Sequence, residues 1–105
     1  MKVIIGAAML AAFTLPLHAA DDAAVMDLAK KSGCLACHSI DKKLVGPAWQ
    51  DVGKKYAGAT GAEAQLVATV KKGGKGVWGP IPMPPNATIK DADVQTLVKH
   101  ILSLR

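Results

Sequence analysis

The chain has 105 residues, half of them hydrophobic, with 13 basic and 8 acidic residues and a formal charge of +5. That length holds one domain, and the basic excess comes as lysines without the dense clustering or aromatic interleaving of a nucleic-acid site. The two cysteines, Cys34 and Cys37, exclude a disulfide framework, because a bridge between them would close a tiny loop and constrain the unfolded chain little.

In chain order, Lys2, the apolar run Val3–Leu15, the break at Pro16 and the small residues of Leu17-His18-Ala19-Ala20 read as a secretory signal peptide over residues 1–20. Cleavage falls before Ala20 or Asp21, and Asp21 is taken as the mature start. The apolar run is shorter than the ~20 residues of a membrane span, and no second long run follows. The expected product is a soluble exported domain, residues 21–105, with no membrane span. Loss of Lys2 takes the formal charge from +5 to +4.

Four segments of that domain have helical period and none alternates as a strand does, so the expected class is all-α. The first helix runs from about Asp21 to Lys31, with acidic residues early, Lys30 and Lys31 in its last turn and Gly33 as its stop. The second is expected from Pro47, a favoured first helical residue, through Trp49, Val52 and Tyr56 to Gly58. The third covers about Ala62–Lys72 and closes at Gly73-Gly74. The fourth runs from Asp91 to about Leu104 on a stripe of Val94, Leu97, Val98, Ile101 and Leu102; Thr88 with Asp91 imitates a capping box ahead of it.

The segment Gly33-Cys34-Leu35-Ala36-Cys37-His38 carries the strongest chemical signal. Two cysteines three apart on one turn can each add a sulfur to one of the two vinyl groups of haem, and the adjoining histidine is then held beneath the iron. A zinc site needs two further ligands at similar spacing, and the other histidine of the mature chain, His100, stands far off with no partner beside it. A thioredoxin-like dithiol follows a strand in a βαβ unit, which a helical chain does not offer. A structural disulfide leaves His38 unexplained. One covalent haem c is therefore the expected cofactor, and its buried porphyrin supplies apolar surface that so short a chain lacks.

The occupant of the second axial position decides what the iron does: left open it binds gases or peroxide, and filled it only exchanges electrons. Candidates are Met26, Met83, His100 and the lysines. Met26, beside the apolar face of the first helix, reads as packing, and His100 as a boundary residue with a polar tip. Met83 lies in Gly76–Pro85, GVWGPIPMPP, between Pro82 and the pair Pro84-Pro85. Prolines fix φ and lower the entropy lost on ordering, and such a preorganised loop suits a weak neutral thioether. The competing reading is a proline-rich surface turn with its methionine packed inward.

With these residues in view, the chain resembles the small bacterial class I cytochromes c of the c-551 and c-552 type. GCLACHSID, VGPAWQDV, KKYAG, GVWGPIPMPPN and LVKHILSL carry the resemblance, which spans essentially all of Asp21–Arg105. It implies about four helices wrapped around one covalently bound haem, a periplasmic location, and a monomeric one-electron carrier rather than an enzyme. It implies thioether links at Cys34 and Cys37 and axial ligation by His38 and Met83. The carbonyl of Pro47 would accept a hydrogen bond from His38, Trp78 would donate its indole N–H to a haem propionate, and Asn86 would support the methionine loop. Redox partners of the family include nitrite reductases, cytochrome c peroxidases and terminal oxidases. Two positions depart from the pattern: His100 replaces a common aromatic residue, and Thr69 stands where a basic residue often meets a propionate.

Two other function classes compete with a shuttle. A gas sensor or peroxidase needs an open iron site, and a dithiol oxidoreductase needs free thiols. The lysine pairs 30/31, 42/43, 54/55 and 71/72 either ring the haem edge and steer acidic partners or are ordinary solvated helix faces.

Overall fold

In the computed structural model, described over residues 3–4, 6–12 and 18–105, the chain forms four α-helices: α1 (His18–Lys31), α2 (Trp49–Lys55), α3 (Ala62–Lys72) and α4 (Asp91–Ser103). The signal-peptide reading falls partly on Lys2 and Pro16, which lie outside the described residues. Among the described residues no helix is long and apolar enough to cross a membrane.

α4 organises the fold, because α1, α2 and α3 all pack on it. Its three- and four-residue stripe of Val94, Leu97, Val98 and Ile101 is buried, with Val94 and Val98 at the centre. Val25 and Ala29 of α1, Trp49 and Val52 of α2, and Ile89 complete the core, while Met26, Leu66, Val67 and Val70 pack half-buried at its edge. Gly53 of α2 lets the end of α4 come close: a Cβ there would fall 2.1 Å from the Leu104 carbonyl oxygen. Among the described residues the core cluster holds nine buried side chains, so much of the cohesion of a domain this size must come from elsewhere.

The helix boundaries differ from the periodicity in instructive places. α1 begins at His18, three residues ahead of Asp21, since Ala19 and Ala20 are strong helix formers. α2 does not begin at Pro47: Ala48 is its extended N-cap and Trp49 its first residue. The carbonyl of Pro47 is turned to a side chain instead, and the free amides of Trp49 and Gln50 are satisfied by the carbonyls of Ser39 and Ile40, 2.9 Å each. α2 also stops at Lys55, short of Gly58. Thr88 does not cap α4. Lys90 stands at the N-cap without a side-chain bond, and Asp91 and Asp93 supply the favourable charge in the first turn. Periodicity did not announce the 3₁₀ turn at Cys34–Ala36.

Candidate functional site

The 3₁₀ turn tightens the chain so that the amides of Cys37 and His38 both donate to the Cys34 carbonyl, at 3.2 and 3.0 Å. Cys34, Cys37 and His38 thus leave a single turn. The thiols are half-buried and not joined to each other. Burial pushes the Cys34 thiol above its ordinary value, which keeps it protonated. A dithiol oxidoreductase needs the opposite, a lowered pKa and a ready thiolate. Among the described residues no three His, Cys, Asp or Glu side chains are grouped to hold a bare metal ion.

His38 is held from several sides. Its Nδ1–H donates to the Pro47 carbonyl at 2.8 Å, and its ring stacks on Trp49 with centroids 5.9 Å apart and planes at 27°. With the Nδ1 proton committed, Nε2 keeps the lone pair. The loop that brings Pro47 back is closed by the Gly46 amide on the Cys37 carbonyl, 2.8 Å, and by a bridge between His38 and Lys43.

A second segment, residues 73–90, carries Met83. Its backbone pairs reciprocally with Gly74, at 2.7 and 3.1 Å, just past the end of α3. Gly73, at φ 82°, permits this docking, since a Cβ there would fall 2.8 Å from the Met83 carbonyl oxygen. The backbone amide of Asn86 donates to the Val70 carbonyl at 2.8 Å, and its side-chain Nδ2 donates to the Ser32 carbonyl at 3.0 Å. Asn86 therefore ties the methionine segment both to α3 and to the chain just ahead of Cys34. Lys71 secures the far end of the segment through the Ile89 carbonyl, 3.2 Å, and the Asp91 carboxylate.

Trp78 is 39% exposed, with the Lys55 ammonium 5.6 Å from its ring centroid. Among the described residues no hydrogen bond links the side chain of Met83 or Trp78 to the cysteine turn. His100 is elsewhere: its side chain is nine-tenths buried, its Nδ1 lies 3.3 Å from Asp22 of α1, and its Nε2 has no partner among the described residues. Met26 belongs to the core edge. Thr69 turns its hydroxyl to the Gln65 carbonyl of its own helix, 3.0 Å. The groove between α3 and α4, lined by Ala64, Val67, Ala68 and Gln95, holds no thiol, imidazole or thioether.

Sequence reasoning missed the Ser32 acceptor, the Lys55 contact and the close approaches at Gly46, Gly53 and Gly73. Gly46-Pro47 carried a local signal only as a turn, and Gly73 only as the stop of α3. The others depend on segments far apart in sequence.

Whether a haem fits here is tested by the apolar surface. From Asp22 onward, the exposed large hydrophobic residues are Leu44, Val45, Val77, Trp78 and Ile81. All five lie on the two loops that follow His38 and precede Met83. Apolar side chains left uncovered on these two loops call for an apolar group to cover them, and a porphyrin is one. The donor set agrees: two thiols, an oriented imidazole and a thioether are the groups that hold haem c.

Comparison with known proteins agrees with this geometry. A family profile described as Cytochrome c matches residues 23–105. The chain is 59% identical over 76 residues to cytochrome c-551 of Pseudomonas aeruginosa, covering 72% of each chain. The crystal structure of wild-type Nitrosomonas europaea cytochrome c552 superposes with a TM-score of 0.74 at 49% identity, covering 76% of this chain and 99% of that one. The class 1 cytochrome MtoD from Sideroxydans lithotrophicus ES-1 superposes at 0.64 with 32% identity, covering 79% and 95%. The chain belongs to the cytochrome c family: it is a monohaem class I cytochrome c, an electron carrier with covalently bound haem c.

Proposed function

We propose that this cytochrome is a periplasmic shuttle with histidine and methionine axial ligands, passing single electrons between respiratory donors and terminal reductases or oxidases. Residues 1–20 direct export and are removed, leaving residues 21–105 as the working domain. Val3, Ile4, Met9 and Leu10 stand largely exposed, which supports that division.

The haem iron, when bound, takes up and releases one electron between its ferrous and ferric states. Cys34 and Cys37, leaving one tight turn, would hold the porphyrin by thioether bonds. His38 presents Nε2 to the iron, and its Nδ1–H bond to Pro47 fixes ring orientation and raises the basicity of Nε2. Met83 would supply a neutral sulfur as the second ligand, a donor that favours the reduced state. Asn86 and Gly73 hold the Met83 segment in place, and Trp78 would donate its indole N–H to a haem propionate. Leu44, Val45, Val77 and Ile81 exclude water from the porphyrin. The protein is monomeric, not an enzyme, and meets partners such as a nitrite reductase, a cytochrome c peroxidase or a terminal oxidase. Lysines near the haem edge steer acidic partner surfaces.

The observation that carries this reading is the Nδ1–H bond from His38 to Pro47, because it commits one imidazole nitrogen and readies the other as a ligand. The test is the absorption spectrum of the oxidised protein. The weak long-wavelength sulfur-to-iron band is expected in the wild type and lost in Met83→Ala. A wild type that lacks the band and binds carbon monoxide readily when reduced would instead be a ligand-binding haem protein. Export is tested by the mass of the periplasmic protein, which should begin at Ala20 or Asp21.

A further inference from the structure

The plane of the His38 ring is set by its neighbours. A Cβ built on Gly46 would fall 2.5 Å from Cε1, 2.9 Å from Nδ1 and 3.1 Å from Nε2 of His38. The imidazole therefore occupies the volume that a side chain at position 46 would need. Gly46 is not among the glycines with positive φ, so an alanine could adopt its backbone conformation. Space, and not dihedral freedom, makes glycine necessary here.

Nor can the ring or the backbone simply retreat. Nδ1 is fixed on the Pro47 carbonyl at 2.8 Å, and the ring stacks on Trp49, which is buried in the core. Gly46 itself donates to Cys37 at 2.8 Å and accepts from Leu44 at 3.1 Å. An added methyl group must turn the imidazole, and turning it breaks the bond to Pro47.

We propose that Gly46 is a positioning residue for electron transfer, its absent side chain setting the plane of the His38 imidazole and preserving the bond from Nδ1 to Pro47. This rests on His38 being an axial ligand. The consequence is electronic. The imidazole plane decides how unpaired spin spreads over the ferric haem, and the Nδ1–H bond raises ligand basicity, which favours the ferric state.

The test compares holoprotein of Gly46→Ala with Gly53→Ala, a steric change against the end of α4 that leaves the His38 loop alone. In Gly46→Ala, the proton NMR pattern of the four haem methyl groups should change, and the His38 Nδ1 proton should exchange at least tenfold faster. The reduction potential should rise. Gly53→Ala should lose thermal stability and keep the wild-type methyl pattern. A Gly46→Ala holoprotein with the wild-type pattern and slow exchange overturns the proposal.

Should that variant fail to mature, the reduced wild type decides. A cross-relaxation peak between the Gly46 α protons and the His38 Hε1 proton supports the proposal, and its absence overturns it. A His38 ring without the large upfield shift of a haem ligand overturns the ligand reading and this inference together, whereas a shifted ring with no Gly46 contact overturns the inference alone.

Discussion

Replacing Asn86 by alanine isolates one bond that joins the two halves of the site. The backbone amide of residue 86 still reaches Val70, and the Gly74–Met83 pair is untouched, so the methionine segment stays docked on α3. What disappears is the Nδ2 bond to the Ser32 carbonyl, 3.0 Å and half-buried. A hydrogen bond of this kind contributes about 1 kcal/mol net, and the loss approaches 3 kcal/mol only where the stranded carbonyl stays dry. Water can reach a half-buried carbonyl, so about 1 kcal/mol is the expected loss, which on the proposed ligation multiplies the population with Met83 lifted from the iron about fivefold. An external ligand binds iron only in that population, and its apparent affinity scales with the fraction open. Titration of the oxidised protein with imidazole should therefore show about fivefold tighter binding in Asn86→Ala, with the sulfur-to-iron band intact before titration. An affinity within twofold of wild type and an unchanged thermal midpoint would refute the idea that Asn86 clamps the segment to the cysteine side.

Gly73→Ala should cost more, since it combines positive-φ strain of about 1–2 kcal/mol with a 2.8 Å approach to the Met83 carbonyl. Chemical denaturation of the holoprotein and early loss of the sulfur-to-iron band on heating check it. Val94→Ala, at the centre of the core, should lower stability by about 2 kcal/mol through lost burial and the cavity left behind, and leave the visible spectrum unchanged. His100→Phe removes the buried, unpartnered Nε2 at the expense of an exposed contact to Asp22, and should raise stability by about 1 kcal/mol in urea denaturation. Electron-transfer rates with an acidic partner should fall as salt rises, whereas flat rates would return the lysine pairs to the role of solvated helix faces.

Some of this protein is written locally in its residues. The stripe of α4 forms a buried face because spacing along a helix alone puts Val94, Leu97, Val98 and Ile101 together. α3 begins at Ala62 and ends at Lys72 where its periodicity and Gly73 say it should. Cys34, Cys37 and His38 announce haem because a porphyrin's own dimensions fix the spacing of its attachments. Pro47 shows the limit of local rules. By propensity it opens a helix, yet its carbonyl is claimed by His38, and α2 begins two residues later.

What tertiary structure alone decided is how the two haem-facing loops are held. Asn86 reaches Ser32 across 54 residues, and Met83 pairs with Gly74 only because Gly73 lets the backbones meet. Gly46 yields its side-chain volume to an imidazole eight positions earlier in the chain. Residue type sets which chemistry is available. The close approaches that aim it come from chain segments whose distance in sequence hides them from any local pattern, because packing acts between surfaces and takes no account of order along the chain.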